Sequence, residues 1–352
     1  MRSNPLRSGG NPERGAALLA VLWLVAALSA IAFTVASTVR AETDRVSMQK
    51  DALGAHYLAS GAIYRSILWL VWGGNGYRSP DGRPLYFHSP MPRIHYEFPS
   101  GVVDVEVIPE KSKLDINHAP GEELLKLLLA LGTPADRAQT IAQAIVDWRT
   151  PSAADGLSPM DAYYLSLTPS FRARHASFEE IEELLLVQGM TPEIFYGGFT
   201  PGPDGALIPY GGLRDCVSVY GSVSEFDVNT VQPAILSMLG VSGDSIRQLL
   251  QMRAAQPILS VDKIGSLLGG TRANGKLIIG GGTITTLRAT ARLRYPDGRL
   301  SDMKRTVSAM VKILSNQWDP PYHILRWYDT ATSASEVTYQ APEIPKQELS
   351  GE

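Results

Sequence analysis

The sequence has a single cysteine, Cys216, among its 352 residues. One thiol cannot form a disulfide within the chain, and a lone cysteine usually behaves as a small buried apolar residue. The six histidines show no i, i+4 pair and no grouping with the cysteine, which argues against a zinc site. The chain also lacks a G-x-S-x-G motif. These absences predict a protein that is not an enzyme.

The sequence also lacks an excess of basic residues over acidic ones. Lys and Arg together number 32, against 35 Asp and Glu, which gives a formal net charge of −3. Residues 1–15 contain three Arg and one Glu, so the chain beyond them carries −5. Contacts to nucleic-acid phosphates need clustered Lys and Arg. The composition therefore predicts no nucleic-acid partner.

Charged residues are absent from residues 16–36. A helix of about 20 apolar residues crosses the hydrocarbon core of a bilayer. A secretory signal has a shorter apolar region, of about 7–15 residues, and Thr34-Val35-Ala36 fits its cleavage site poorly. Three Arg precede the run and mixed charges follow it, which predicts a single pass with a cytoplasmic N-terminus and the bulk of the chain outside.

Proline is absent from residues 37–72. Apolar residues recur there at the spacings of one helix face: Val46, Leu53, Tyr57, Tyr64, Ile67, Leu68 and Val71. We therefore predict one long helix over residues 16–72, about 80 Å in length. Three glycines within Gly73–Gly76 tolerate a positive φ and end it.

Alternating apolar residues predict strands in two separate regions. Residues 93–109 form a predicted hairpin that turns at Pro99-Ser100-Gly101. Residues 285–294 and 307–313 alternate in the same way around a Tyr295–Gly298 turn, and residues 322–328 form a last short strand. The simplest assembly is one antiparallel sheet laid on the long helix.

The segment between these strand regions is predicted to be helical. Pro134 and Pro192 each follow a threonine, which places Thr133 and Thr191 at helix N-caps. Ser177–Glu180 matches a capping box that opens a leucine-rich helix ending at Gly189, and Ser260 is a further predicted cap.

An internal repeat lies within this helical segment. Leu114–Ala119 and Phe226–Val231 match at an offset of 112 residues, and Leu124/Leu236 and Leu127/Leu239 keep that register. The asparagine in each copy can bind free backbone N–H groups, and the leucines form a buried stripe. Both copies are interpreted as helix-hairpin-helix units, although two short copies so far apart could also arise by chance.

The segment Arg14-Gly15-Ala16-Ala17-Leu18-Leu19 resembles a type IV prepilin-like leader. The resemblance implies that a prepilin peptidase cuts between Gly15 and Ala16 and leaves the anchor in place, followed by N-methylation. Such proteins usually have glutamate at the fifth mature position, where this chain has Ala20. A buried carboxylate needs a partner, and a subunit at a filament tip has no neighbour above it to provide one. A plain single-span anchor is the alternative.

Further segments extend the likeness. Beyond its leader, the chain resembles the minor pseudopilin K family of the type II secretion system, also called general secretion pathway protein K. The similar segments, taken in order, are Lys113–Pro120, Asp147-Trp148-Arg149, Asp161–Tyr164, Glu183–Glu193 and Asp227–Thr230.

The resemblance implies an α+β fold. In it, a pilin-like N-terminal helix packs on an antiparallel sheet, with a large all-α domain of helix-hairpin-helix or SAM-like units inserted between strands. The expected segments are a leader (1–15), an N-terminal helix (16–72), a first sheet part (73–110), an inserted α-domain (111–275), a second sheet part (276–329) and a disordered tail (330–352).

The family also implies a place at the tip of the periplasmic pseudopilus, anchored in the inner membrane. The expected partners are the minor pseudopilins I and J, other pseudopilins, the inner-membrane assembly platform and the prepilin peptidase. The side chains predicted to contact other subunits are Ala20, Leu24, Leu28, Val46, Leu53 and Tyr57.

Relatives tend to carry an acidic, calcium-associated loop after the Asp-Trp pair. In this chain Thr150, Ser152 and Ala153 stand where carboxylates are expected, which leaves Asp147, Asp155 and Asp161 as candidate ligands. Calcium prefers six to eight oxygens, several of them from carboxylates. The alternative is that the aspartates are surface or capping groups and that no cofactor is bound.

A membrane-anchored DNA-binding protein of an uptake or pilus system is the alternative function. Helix-hairpin-helix units often bind phosphates through a glycine-rich turn flanked by lysine. The turns at residues 131–134 and 239–243 have no adjacent lysine, which favours the pseudopilin hypothesis.

Overall fold

The structure is a computed structural model. It describes residues 12–73, 76, 78–82, 87, 90–152, 156–158, 160–201, 205, 207–269, 271, 273–314 and 318–331, with side chains from Ala16 onward except Pro209. Residues 1–11 of the predicted leader lie outside these residues, as do Asp155 and nearly all of the predicted tail. The chain forms two compact units, one that ends at Ala55 and one that begins at His56.

Eight helices and eleven strands are named here in chain order. The helices are α1 (Pro12–Gly73), α2 (Gly121–Ala130), α3 (Ala135–Arg149), α4 (Asp161–Leu165), α5 (Pro192–Tyr196), α6 (Pro233–Met238), α7 (Gly243–Ala255) and α8 (Gly265–Leu268). The strands are β1 (Arg93–Phe98), β2 (Gly101–Pro109), β3 (Leu114–Asp115), β4 (Gly197–Pro201), β5 (Leu207–Gly211), β6 (Val217–Ser218), β7 (Phe226–Asp227), β8 (Leu277–Ile278), β9 (Ile284–Leu293), β10 (Arg305–Ile313) and β11 (Tyr322–Tyr328).

Five strands form one antiparallel sheet in the order β1-β2-β9-β10-β11. Strands β2 and β9 are neighbours in this sheet, although helices α2 to α8 lie between them in sequence. The α+β class is therefore confirmed, with a long N-terminal helix, an antiparallel sheet and helices inserted between strands. The exact boundaries of the predicted domains stay a prediction.

The alternation of residues explains how the sheet packs. Val103, Val105 and Val107 of β2 are fully or almost fully buried on one face, and their partners on β9 are Ala291, Ala289 and Leu287. The C-terminal part of α1 covers this face: Ser66 Oγ lies 3.2 Å from the hydroxyl of Tyr96 on β1. The side chains of α1 that are buried there recur every three or four residues: Ala59, Ala62, Ile63, Ser66 and Ile67.

This packed face differs from the apolar stripe predicted for the long helix. Of the stripe residues in the second unit, Ile67 is buried, whereas Tyr57, Tyr64 and Leu68 are 67%, 49% and 45% exposed. Small alanines allow the helix to approach the sheet closely, which large side chains would prevent. The large apolar residues of this unit are thereby left at the surface.

The helix caps that were predicted from the local sequence are confirmed only in part. Thr191 caps α5 and Ser260 caps a 3-10 helix, as predicted. Thr133 is not a cap, because α3 begins at Ala135 and Pro134 precedes it. The predicted helix from Ser177 to Gly189 is a 3-10 helix over Ile181–Leu186, whose capping box joins Glu180 and Glu183 instead.

Candidate functional site: the anchor helix and the inserted repeats

Helix α1 contains the candidate membrane anchor. Its described part from Ala16 is the helix long and apolar enough to cross a membrane, and its most apolar 18-residue window is not buried in the structure. Length and composition thus fit a single-pass membrane anchor. The predicted processing residues Gly15 and Ala16 lie near the start of α1.

The predicted contact residues in the first unit are all exposed. Ala20 is exposed, and Leu24, Leu28, Val46 and Leu53 are 55–60% exposed. In the second unit Tyr57 is exposed as well. Exposed leucines and valines in a regular row are candidates for lipid or helix contacts. Their role as contacts to other subunits stays a prediction.

The inserted segment contains two copies of one structural unit, here named repeat A (residues 114–218) and repeat B (residues 226–278). Each copy begins with a two-residue strand that pairs in parallel with a strand at its end: β3 with β6, and β7 with β8. Backbone bonds repeat too, since Leu114 N donates to Cys216 O and Phe226 N donates to Lys276 O. The predicted repeat is thus confirmed, and the helix-hairpin-helix assignment stays a prediction.

Equivalent asparagines close the two repeats. The Asn117 side chain accepts a hydrogen bond from Phe178 N at 2.7 Å and donates one to Phe178 O at 3.0 Å. Asn229 makes the same pair with Ile258, at 2.7 and 3.1 Å. Each amide therefore bonds to a backbone segment far along the chain, rather than to the start of the next helix as predicted.

Equivalent arginines hold the same turn in each repeat. The Arg149 guanidinium donates to the carbonyls of Ile116 and Ala119. Arg253 donates to Val228 O at 3.4 Å and Val231 O at 2.8 Å. Burial lowers the pKa of Arg253 to about 10. The hydrogen bonds from each guanidinium to these backbone carbonyls indicate a structural role for both residues.

The arginines were missed in the sequence because their offset is 104 residues, whereas the asparagines differ by 112. Helix α6 is four residues shorter than α2, so the offset falls to 108 at the following glycines, Gly132 and Gly240, both of which have positive φ. Repeat B is shorter by a further four residues between Gly240 and Arg253, which lowers the offset to 104. Four residues are about one helical turn, so each loss keeps the helix faces in register.

The candidate calcium ligands lie at the end of α3 and the start of α4. Asp147 Oδ2 accepts from the Ser158 hydroxyl at 2.8 Å. Asp161, which is 2% exposed, accepts from Ser158 N at 2.9 Å and lies 3.1 Å from His175 Nε2.

His175 lies between the Asp161 carboxylate and the carbonyls at the end of α3. Its Nε2 faces the Asp161 carboxylate, while its Nδ1 faces the carbonyls of Asp147 and Thr150 at 3.3 and 3.1 Å. Because both nitrogens face acceptors, both must carry a proton to donate, and the imidazole is cationic in this arrangement. Asp147 and Asp161 are engaged in these contacts, and the calcium site stays a prediction, because Asp155 lies outside the described residues. No group of three or more His, Cys, Asp or Glu among them is placed to hold a metal ion.

The pKa directions agree with this geometry. Burial alone would raise the pKa of Asp161, but hydrogen bonds from Ser158 and His175 lower it overall. Burial alone would lower the pKa of His175, but the Asp161 carboxylate raises it overall. His175 also has a positive φ of 49°, which is uncommon outside glycine, although histidine adopts it more readily than most residues. No sequence pattern singled out this histidine.

Comparison with known proteins gives a family for part of this segment. Residues 106–196, which run from β2 to the end of α5, match the family model described as "Type II secretion system (T2SS), protein K". This stretch is therefore similar to the type II secretion protein K family. The protein K stretch contains both halves of the Asp161–His175 pair and most of repeat A. No curated protein matches the chain.

A solved structure is similar to the chain. It belongs to the GspK-GspI-GspJ complex of the type 2 secretion system from enterotoxigenic Escherichia coli. The matched chain is 18% identical, with 82% of this chain and 100% of that chain covered and a TM-score of 0.49. The likeness to protein K rests on the family model over residues 106–196.

Proposed function

We propose that the chain is a minor pseudopilin of the type II secretion system. The observation that carries the proposal is the protein K match over residues 106–196, in a chain whose first described helix could span a membrane. The prepilin-like leader adds a route by which the anchor reaches the inner membrane, with the N-terminus cytoplasmic and the bulk periplasmic. The protein acts as a structural subunit and not as an enzyme.

We also propose that this subunit initiates or caps the periplasmic pseudopilus at its tip. In a helical filament, a glutamate at the fifth mature position can pair with the free amine of a neighbouring subunit, which offsets the cost of burying its charge. Ala20 offers no such group. A subunit with no neighbour above it needs none, so the substitution suits the tip. Its assembly with the other pseudopilins would support export of folded proteins across the outer membrane.

The expected partners are the minor pseudopilins I and J, other pseudopilins, the inner-membrane assembly platform and the prepilin peptidase. The exposed leucines of the first unit, Leu24 and Leu28 among them, supply helix contacts. Tyr57, Tyr64 and Leu68 supply contacts outside the membrane in the second unit. Exposed apolar residues along both parts of the helix are expected of a helix that leaves its lipid contacts and packs against neighbouring helices.

Copurification tests the proposal. The full-length chain is expressed with pseudopilins I and J, extracted from the inner membrane and isolated through a tag on its C-terminus. We expect I and J to copurify, and gold labelling of assembled pseudopili to mark one end. Retrieval of the chain without either pseudopilin, or labels along the filament length, would contradict the proposal.

A further inference from the structure

Repeat A has an open groove between the start of α2 and the C-terminal half of α3. The groove, here named groove A, encloses about 640 Å³. Its apolar lining comes from Leu125, Ala142, Val146 and Met160. Glu122, Gln143 and Asp147 also line it, so acidic and amide groups border an apolar floor. An open groove with an apolar floor and a polar border indicates a binding surface.

The repeat relationship identifies the same surface in repeat B. Gly121 and Glu122 correspond to Pro233 and Ala234 at the 112-residue offset, and Val146 corresponds to Leu250 at the 104-residue offset. Pro233, Ala234 and Leu250 line a separate cavity of about 310 Å³, here named groove B. The two grooves are therefore equivalent parts of a duplicated unit.

Groove B is covered by the chain's own sheet. Arg93 of β1 and Glu106 and Ile108 of β2 line it from the opposite side. Ile108 is 7% exposed, and Arg93 Nη2 lies 3.7 Å from Glu106 Oε1. One copy of this helix-pair surface thus lies against a pilin-type strand pair that presents an aliphatic side chain beside a basic one.

The borders of the two grooves differ in charge. Glu122 and Asp147 border groove A, whereas Ala234 and Gln251 occupy the equivalent positions of repeat B. The basic side chain that lines groove B, Arg93, pairs with Glu106 of its own sheet, whereas groove A itself offers carboxylates that complement a basic side chain of a bound strand. Charge complementarity of this kind favours specific encounter between partners.

We propose that groove A binds the strand pair of a second pilin-type subunit, as groove B binds the strands of its own chain. The bound strands present an aliphatic side chain to Leu125 and Val146, flanked by Lys or Arg facing Glu122 and Asp147. This inference rests on the proposed function, since it takes its partner from the pseudopilus.

Thiol cross-linking tests the inference on the full-length chain in its membrane complex. Cys216 is 2% exposed, and burial raises its pKa, so the native thiol does not compete. Gln143→Cys places a thiol at groove A. Arg137→Cys is the matched control, because this exposed residue lies on the same helix about 120° away. A thiol-to-amine cross-linker and peptide mass spectrometry then identify the partner segment.

We expect Gln143→Cys to cross-link to strand peptides of a partner pilin-type subunit at several times the yield of Arg137→Cys. Glu122→Lys should lower that yield several-fold. The matched control is Asp244→Lys, which should leave the yield unchanged. Like Glu122, Asp244 is an exposed residue in the first turn of its helix, and each pairs with a basic residue on its own helix.

Equal yields at the two positions would overturn the inference, as would cross-links to a second copy of this chain or to a secreted protein. Copurification separates the two failures. If the pseudopilins copurify but groove A gives no preferred cross-link, the groove inference fails and the proposed function stands. If no pseudopilin copurifies, the proposed function fails and the inference fails with it.

Discussion

The amide of Asn117 makes two hydrogen bonds with the backbone of one residue, Phe178, at 2.7 and 3.0 Å. Asn229 repeats this arrangement with Ile258. In repeat A the arrangement closes a connection over residues 150–177, whereas in repeat B it closes residues 254–257. The same pair of hydrogen bonds therefore joins the end of a long connection in repeat A, and the end of a short connection in repeat B, to the first turn of the repeat.

Removal of either amide should destabilise the chain. Asn117→Ala leaves the Phe178 N–H and carbonyl without a side-chain partner, which should cost roughly 1–3 kcal/mol. Asn229→Ala should cost as much or more, because Asn229 is only 7% exposed. Thermal unfolding of the full chain in detergent measures the effect, with the exposed Asn274→Ala as control. Equal melting temperatures for all three variants would contradict the shared role.

The Asp161–His175 pair should make stability depend on pH. The pKa of His175 is raised, so its contribution is complete below its ordinary value of 6.5 and is lost as pH rises through the folded value. The pKa of Asp161 is lowered, so its contribution is present above the ordinary 3.8 and is lost as pH falls through the folded value. The pair therefore stabilises most between these two ordinary values.

His175→Asn tests this pH window, because asparagine tolerates a positive φ but cannot carry the charge. The melting temperatures of the native chain and the variant should differ more at pH 5 than at pH 9. The matched control is His118→Asn, since the His118 side chain is 75% exposed and its pair with Asp115 should contribute little. A gap for His175→Asn that is the same at both pH values would contradict the assignment.

Calcium should not stabilise the chain. Asp147 and Asp161 already bond to Ser158 and His175, which leaves no pair of free carboxylates between them in the described residues. A ligand at about 100 times its Kd would add about 2.7 kcal/mol of stability. We expect the melting temperature to be the same with millimolar calcium and with a chelator. A saturable rise in melting temperature with calcium that Asp147→Asn abolishes would contradict this expectation and indicate a calcium site.

The two faces of α1 should respond differently to substitution. Ala62 is fully buried against the sheet, so Ala62→Leu should overpack the interface at a cost of about 1–3 kcal/mol. Tyr57 is 67% exposed, so Tyr57→Ala should change stability by less than about 0.5 kcal/mol. Tyr57→Ala should instead reduce copurification of the other pseudopilins. The reverse pattern would show that the packed and assembling faces are wrongly assigned.

The strands were predictable because their residues alternate. The alternating residues of 285–293 and 307–311 share the sheet face that α1 covers, although β10 is buried on both faces, and Tyr322–Tyr328 is the predicted last strand. Alternation is a local property, so it survives the long insertion between β2 and β9. The β4–β5 hairpin was missed because its strands contain glycines and prolines, which usually mark turns.

The repeat was predictable only where its offset is constant. The asparagines share the 112-residue offset with the flanking strands, but the loss of helical turns moves Arg253 out of that register. Strands β3, β6, β7 and β8 are two residues long, too short for any period to appear. The role of His175 depends on three distant segments meeting, which no local pattern encodes.

The mass of the mature N-terminus tests the central claim most directly. The full chain is isolated from the membrane of a strain with its prepilin peptidase, and its N-terminal peptide is measured by mass spectrometry. The pseudopilin account predicts a chain that begins at Ala16 and carries an N-methyl group. An N-terminus at Met1, or a cut near Ala36, would contradict it.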